Sequence, residues 1–214
     1  ECSLGKSDFS RADLSRVSLE ETDLKQVVFN STNLLKAYLV GSDLGGQSFS
    51  GCNLIMAMLE KCSLKNADFS GADLTQASFA KADFPSALFS QAKGQFTNFS
   101  QAKGSSADFT GVFLFMAAFN GAMLKGAVFQ RAKIEQSLFM ETDLSRADFS
   151  QAELPYTDLS HAIVTGADFS KSLLCSANLH GVNEDDARWK GADLTGVAKT
   201  DQELLEAEYW RPGS

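Results

Sequence analysis

Residues 67–76 read Ala-Asp-Phe-Ser-Gly-Ala-Asp-Leu-Thr-Gln, which is two consecutive copies of one five-residue unit. Each unit carries a large apolar residue at its centre and a small residue two positions earlier. From residue 4 to residue 194 an apolar residue, usually Leu or Phe, recurs at every fifth position. Only Gly94, Gly104 and Glu184 break this series. Because an α-helix has a period of 3.6 residues and an ordinary strand a period of two, neither accounts for the pattern.

A second period of twenty residues is superimposed on the first. Every fourth unit has an aromatic centre: Phe9, Phe29, Phe49, Phe69, Phe89, Phe109, Phe129, Phe149, Phe169 and Trp189. Such a long period is the signature of a solenoid whose coils stack equivalent residues on one another. We therefore group the central residues into four columns, named after their first members Leu4, Phe9, Leu14 and Leu19.

From Cys2 to about Val197 the repeat resembles the pentapeptide-repeat family, whose motif is A-(D/N)-L-x-x. The resemblance implies an all-β fold, a right-handed quadrilateral β-helix of about ten coils. Residues 1–199 would form this solenoid. The run Thr200-Asp201-Gln202-Glu203 has the form of a capping box and predicts a short helix within a C-terminal cap and tail, residues 200–214. We expect the cap to cover the last coil with Leu204, Leu205, Tyr209 and Trp210.

The beginning of the chain has no comparable cap. It starts at Glu1 without an initiator Met, and its repeats are in register from Leu4 onwards. An open coil end is an aggregation hazard. We therefore expect the sequence to be a fragment of a longer protein whose N-terminal part is missing.

The two glycines at central positions are expected to be compensated inside the solenoid. Losing a buried Leu without a replacement costs about 2–5 kcal/mol. Large aromatic residues stand nearby where Leu is otherwise usual, namely Phe79, Phe84, Phe99 and Phe119. We interpret Gly94 and Gly104 as sites of volume compensation rather than as a binding hole.

Composition excludes several classes of function. The chain has 214 residues, of which 44% are hydrophobic, enough for one domain with a sizeable core. Its net charge of −8 argues against direct nucleic-acid binding. No apolar run approaches the roughly 18 residues of a membrane span. The compartment stays open between the bacterial cytoplasm and secretion into a host cell.

We find no catalytic constellation and predict a protein that is not an enzyme, with no catalytic residue, cofactor or metal. His161 and His180 are nineteen residues apart, so adjacent coils would bring them together, and with Asp158 they could form a surface metal site. We favour solvated polar side chains instead. Cys2, Cys52 and Cys62 occupy the small inward position and are interpreted as buried thiols, whereas Cys175 should point outward.

The outward residues differ between the four sides. The Leu4 and Phe9 columns carry outward aspartates: Asp8, Asp23, Asp43, Asp68, Asp83, Asp108, Asp143, Asp148 and Asp168. The Leu14 and Leu19 columns instead present large apolar residues: Leu35, Tyr38, Val40, Ile55, Met56, Met58, Phe96, Phe113, Phe115, Met116, Leu138, Met140, Tyr156 and Leu173. Apolar residues gathered on adjoining sides predict a surface for a protein partner or for self-association, including a homodimer.

Two functions follow from this interpretation. The first is a non-catalytic protein–protein interaction scaffold, a domain of a larger bacterial protein that could be a secreted effector or a secretion-associated protein. The alternative, implied by the resemblance, is a DNA-mimicking gyrase-binding protein of the quinolone-resistance type. Its support is the acidic charge and the aspartate-bearing sides. The unbroken period argues against it, because many proteins of that branch have projecting loops.

Overall fold

The backbone of the computed structural model, which describes residues 4–210, returns to the same position every twenty residues. Parallel bridges join residues twenty apart, such as Asp8 to Val28 and Asn33 to Asn53. Between coils the N–H of a central residue donates to the carbonyl nineteen residues later, as from Phe109 to Val128 at 2.7 Å. Each coil therefore consists of four five-residue units. The predicted β-helix of pentapeptide repeats is confirmed.

Regular strand is scarce because a turn interrupts the backbone after every short bridge. Within residues 4–210, three strands of three residues occur: β1 (Lys93–Gln95), β2 (Phe113–Phe115) and β3 (Lys133–Glu135). They form one parallel sheet in the order β1-β2-β3, in register at Gly94, Leu114 and Ile134. The remaining pairing consists of isolated bridges. Adjacent coils are therefore held together mainly by isolated bridges, each of which joins one residue to the residue twenty positions later.

One helix, α1 (Gln202–Tyr209), follows the solenoid. The predicted short helix is present, but its cap is Asp201 and not Thr200, the first residue of the predicted capping box. The Asp201 carboxylate accepts from the N–H of Leu204 at 3.1 Å, whereas the Thr200 hydroxyl accepts from the N–H of Gly181. The expectation that its apolar residues cover the last coil is wrong for three of the four. Leu204, Tyr209 and Trp210 are exposed, and only Leu205 is half-buried. In residues 4–210 no helix has both the length and the apolar character needed to cross a membrane.

The interior is a stack of aromatic rings and aliphatic side chains. In the Phe9 column, successive rings such as Phe109 and Phe129 are 4.7 Å apart and tilted by 4°. From Phe79 to Phe139 the Leu19 column forms a second stack. The two stacks meet edge to face, as Phe129 and Phe139 do at 6.0 Å and 85°. Both are preferred arrangements of aromatic pairs, so the interior packs as an ordered lattice.

Small polar residues inside the solenoid are satisfied by main-chain carbonyls. The hydroxyl of Thr142 donates to the carbonyl of Phe119 at 2.8 Å, and the Cys62 thiol donates to Leu39 at 3.0 Å. Burial raises the pKa of the Cys62 thiol to about 12. Cys52 and Cys62 are the buried free thiols that the sequence predicts, and Cys175 is half-exposed. Cys2 lies outside the described residues.

The space that a side chain would occupy at each of the two central glycines is filled by a different neighbour. A Cβ atom at Gly104 would lie 2.1 Å from the Phe84 ring, the preceding member of the same column. At Gly94 it would lie 2.2 Å from the Thr97 hydroxyl oxygen and 3.3 Å from Leu114. Of the four aromatic residues expected to compensate, Phe84 is the one that supplies the atoms nearest to a central glycine, and it does so at Gly104. Phe79, Phe99 and Phe119 stack within their own column instead.

Candidate functional site

With the exception of Lys6 and Gln26, the last residue of each five-residue unit from residue 4 to residue 196 turns the chain through the left-handed region of backbone conformation. The φ angle there is close to +60°, for example 57° at Phe96 and 66° at Gly71. Glycine adopts this conformation freely, whereas a Cβ atom crowds the following carbonyl. The side chains at these positions project from the corners of the coil. What occupies the corners therefore decides much of the surface.

One row of these turn positions, spaced at intervals of twenty residues, differs from the other rows. Four large side chains in the left-handed conformation are Met56, Phe96, Met116 and Tyr156, with exposures of 39%, 49%, 42% and 59%. All four lie between the Leu14 and Leu19 columns, at positions separated by multiples of twenty residues. Every other non-glycine residue with positive φ in residues 4–210 is polar or charged. We call these four residues the apolar corner.

An aromatic cluster adjoins the apolar corner at mid-length. The Phe115 ring is half-buried and lies edge-on to Phe96, with ring centroids 6.4 Å apart. Phe113 is 48% exposed and pairs in register with Lys93 on one side and Lys133 on the other. A depression of about 540 Å³ is lined by Phe113, Phe115 and the backbone around Gly94. The cluster offers apolar rings beside cationic side chains.

The predicted surface residues divide by exposure. The exposed ones are Met56, Met58, Phe96, Phe113, Met116, Leu138, Met140, Tyr156 and Leu173. The half-buried ones are Leu35, Tyr38, Val40, Ile55 and Phe115. Sequence reasoning missed Leu88, Met123 and Ile163, which are exposed on the aspartate-bearing sides. The signal was present, since each occupies the outward position that elsewhere holds Asp.

The aspartates on the other two sides have a structural task. One oxygen of each except Asp83 accepts the backbone N–H two residues later, as Asp68 does from Ser70 and Asp148 from Ser150, at 2.8 and 2.9 Å. Asp83 is the exception because the residue two positions later is Pro85, which has no N–H. This Asx turn explains why the motif accepts Asp or Asn, because both carry the required oxygen. Some carboxylates are also paired with cations, Asp43 with Lys25 at 2.6 Å for example. Part of the negative charge of these aspartates is therefore neutralised by basic side chains of the same chain.

Replacing Asp73 with Asn is expected to remove part of the acid sensitivity of the fold. Burial raises the pKa of Asp73, but hydrogen bonds from Thr75 and the Lys93 ammonium at 3.2 Å outweigh it, so the pKa is lowered overall. A group with a lowered folded pKa stabilises the protein above its unfolded pKa, about 3.9, and loses that contribution as the pH falls through the folded value. In thermal unfolding from pH 7 to pH 3, Asp73→Asn should lose less Tm than the wild type.

The control for this prediction is Asp73→Ala, which also removes the turn acceptor. Its Tm should be lower at every pH, because the N–H of Thr75 loses its partner. An Asp73→Asn profile that parallels the wild type would contradict the prediction.

The two histidines lie together, but not with the predicted carboxylate. Their ring centroids are 5.4 Å apart. The nearby acid is Glu208 of α1, whose Oε2 is 3.3 Å from His161 Nε2 and 3.4 Å from His180 Nε2. Asp158 instead accepts hydrogen bonds from the Ser160 N–H and the Asn178 side chain. Sequence spacing could not reveal Glu208, which belongs to an element outside the repeat.

A comparison with models of known protein families identifies the family of the chain. The family model described as pentapeptide repeats matches, in eight copies, residues 7–46, 29–66, 52–91 and 156–183. Together these segments cover more than half of the sequence. The chain belongs to the pentapeptide repeat family.

Two solved structures resemble this pentapeptide repeat protein along most of its length. HetL, a pentapeptide repeat protein involved in heterocyst differentiation regulation from the cyanobacterium Nostoc sp. strain PCC 7120, is 28% identical. The similarity covers 92% of this chain and 86% of HetL, with a TM-score of 0.53. A trypsin-treated variant of QnrB1, a plasmid-mediated fluoroquinolone resistance protein, is 18% identical over 94% of this chain and 95% of its own, with a TM-score of 0.55. At that identity, the similarity to QnrB1 shows a common fold alone.

A search of curated proteins by sequence gave no match. The family match and the structural neighbours indicate no enzyme family.

Proposed function

We propose that this pentapeptide repeat protein is a non-catalytic scaffold that binds protein through its apolar corner and the adjoining aromatic cluster. The observation that carries the proposal is the concentration of Met56, Phe96, Met116 and Tyr156 in the left-handed conformation at one corner. The left-handed turn itself recurs along the whole solenoid, so what distinguishes this row is the residue type: a large apolar side chain where polar residues or glycine are otherwise found. Polar residues or glycine fill the equivalent positions at the other corners.

Folding gives no reason for large apolar side chains at these positions. Each of the four is exposed, so it gains little from burial in the monomer. Each would be accommodated more easily as Gly or Asn, the residues that tolerate positive φ best. Large apolar residues at positive φ are unfavourable, and at this corner no burial within the monomer offsets their cost. We therefore infer that these side chains contact another molecule.

The partner that fits the spacing of the row is a second copy of this chain. Members of the row are separated by whole coils, and coils stack at about 4.8 Å, so the side chains form a ridge that Gln76 and Gln136 interrupt. Two such ridges have the same period and can lie side by side about a twofold axis. The exposed Phe113 and the depression beside it would be covered in that arrangement.

The double variant Phe96→Asn, Met116→Asn tests the surface without endangering the fold. Since Asn adopts positive φ more readily than Phe or Met, we expect a Tm equal to or above that of the wild type when both are measured at a concentration low enough to keep them monomeric. Loss of the two apolar side chains should convert a dimer to a monomer in size-exclusion chromatography with light scattering. Leu88→Asn is the matched control, because Leu88 is 42% exposed but on a different side, and the dimer should persist.

Two outcomes would refute the proposal. One is a wild-type protein that stays monomeric at the highest soluble concentration. The other is a double variant that dimerises as tightly as the wild type.

The proposal includes a finer description of the rod and its setting. We take the solenoid to be right-handed and four-sided, with about ten coils, as a period of four units per coil supports. We take the chain to be a domain of a larger bacterial protein.

A DNA-mimicking gyrase-binding protein remains the alternative. The net charge of −8 and the aspartates along two sides favour it. Against it, the aspartates are engaged in turns, and Asp168 is paired with Arg188 at 2.8 Å. A DNA supercoiling assay separates the two functions, since a gyrase mimic alters gyrase activity at micromolar protein and a scaffold of the proposed kind does not.

A further inference from the structure

We propose that His161, His180 and Glu208 bind a divalent transition-metal ion, with Zn²⁺ as the fitting ion, and that the ion fastens α1 to the solenoid. The three residues come from different parts of the fold. His161 and His180 lie on adjacent coils, joined by a backbone hydrogen bond of 2.8 Å from the N–H of His161 to the carbonyl of His180. Glu208 comes from the last turn of α1. Imidazole nitrogens and a carboxylate form a common ligand set for zinc.

The three ligand atoms lie close enough together to reach one metal ion. The Glu208 Oε2 lies 3.3 Å from one Nε2 and 3.4 Å from the other, and all three ligand atoms lie within 4.8 Å of one another. Zinc bonds of about 2.0–2.2 Å in a tetrahedron place neighbouring ligand atoms about 3.3–3.6 Å apart. A charge-assisted hydrogen bond between nitrogen and carboxylate is shorter, about 2.7–2.9 Å. Two of the three ligand separations are therefore those of a zinc site. The third, between the two Nε2 atoms, is at most 4.8 Å and would shorten to about 3.3–3.6 Å when both nitrogens bind one ion.

The surroundings hold the ligands in place. His180 is buried, whereas His161 and Glu208 are partly exposed, so a fourth position facing solvent is open to a water molecule. Gly181 makes room for His161, because a Cβ atom there would lie 2.5 Å from His161 Nδ1. The N–H of Gly181 donates to the Thr200 hydroxyl at 3.2 Å, which ties this coil to the segment that enters α1.

Metal binding requires one change in the histidine tautomer. His180 Nδ1 accepts the backbone N–H of Asp201 at 3.3 Å, which assigns the proton of the neutral ring to Nε2. A metal at Nε2 moves that proton to Nδ1 and opens the contact with Asp201. Two N–H donors would then face each other, so the Asp201 N–H would turn to water or to another acceptor when the metal binds.

The ion would supply a constraint that α1 lacks. The helix has eight residues, too few for stability on its own. Its apolar residues Leu204 and Tyr209 and its C-cap residue Trp210 are exposed, so they pack little against the solenoid. A ligand bond from Glu208 would join the helix to two coils at once. Because an ion that binds only the folded state stabilises that state, zinc should raise the Tm of the protein.

The experiment uses the full chain, freed of metal with EDTA and dialysed, and ZnCl₂ as the probe. Isothermal titration calorimetry should give saturable binding of one ion per chain, and thermal unfolding should show a higher Tm with zinc. Glu208→Gln and His180→Asn should each weaken binding by at least about tenfold, the lower end of the loss seen when even an outer partner of a metal ligand is removed. Circular dichroism without metal should show that both variants retain the fold.

Three controls distinguish this site from other metal binding. Glu206→Gln removes a carboxylate on the same helix, and Asp158→Asn removes the acid that the sequence places near the histidines. Cys175→Ser removes a partly exposed thiol. All three should bind zinc as the wild type does. Absence of saturable binding, binding that survives Glu208→Gln, or binding lost in Cys175→Ser would overturn the proposal.

Discussion

Replacing Gly104 with leucine is expected to lower the free energy of unfolding by about 3 kcal/mol, at the upper end of the usual cost of overpacking. The Phe84 ring fills the space that a side chain at Gly104 would need, with ring atoms 2.1 and 2.7 Å from the ideal Cβ position. Leu124 lies 2.9 Å away on the other side. Because both neighbours are buried and closely packed, neither can move aside cheaply. Chemical denaturation of the variant measures the loss.

A second substitution, at Phe84, should restore the stability that is lost in Gly104→Leu, because a smaller side chain at position 84 leaves room for the larger one at position 104. Phe84→Leu alone should destabilise the protein by leaving a cavity, whereas Phe84→Leu combined with Gly104→Leu gives the usual Leu at both positions. The double variant should therefore be more stable than the sum of the single effects predicts, a positive coupling in a double-mutant cycle.

Gly94→Leu is the matched control for this cycle. It should also destabilise, since the new side chain meets the Thr97 hydroxyl, which donates to the Leu74 carbonyl at 3.0 Å. Phe84→Leu should not rescue it, because Phe84 does not fill that space. An unchanged denaturation midpoint in Gly104→Leu, or equal rescue of both glycine variants, would show that the packing argument is wrong.

Truncating Phe109 to alanine is expected to cost about 3–5 kcal/mol, the range for large-to-small changes in a rigid core. The Phe109 ring stacks on Phe89 and Phe129, each 4.7 Å away, and meets Phe99 and Phe119 edge-on. Neighbours fixed on both sides cannot collapse into the cavity. The loss should appear in the same denaturation measurement.

Phe9→Ala provides the comparison at the end of the same column. Phe9 is half-buried and has one stacking neighbour, Phe29, at the longer distance of 6.3 Å. Its truncation should cost less than half as much. Similar losses at both positions would mean that stacking between coils contributes little to stability.

The repeat made most of the fold predictable. A period of five fixed which residues point inward, and the phenylalanines at intervals of twenty fixed the number of units per coil. The small inward residues could be recognised because their size is set by the space beside a central Leu or Phe. These features are local and repeat many times, so each unit corroborates the others.

Features that depend on one particular neighbour were not predictable. The sequence shows that Gly104 needs compensation, but only the packing shows that Phe84 supplies it. The residues of the apolar corner were present in the list of apolar residues, and the glycines at the same position of other units, such as Gly71 and Gly121, indicate a left-handed backbone there, but the alignment of four of these residues in one row was not recognised. The partner of the two histidines was misplaced because Glu208 belongs to α1, whose position against the last coils no periodicity encodes. The same reason explains why the apolar residues of the cap were expected to cover the coil.

The twenty-residue return of the backbone has a consequence for how such a chain can change its length. A duplication of one whole coil adds a layer and leaves every later residue on its original side of the rod. A duplication of a single five-residue unit also preserves the repeat, but it moves all later residues by one side. The aromatic stack would then continue onto an aliphatic column, and the apolar ridge onto an aspartate-bearing side. Growth by whole coils is therefore the route by which genes for such rods can lengthen without losing either the interior lattice or the surface pattern.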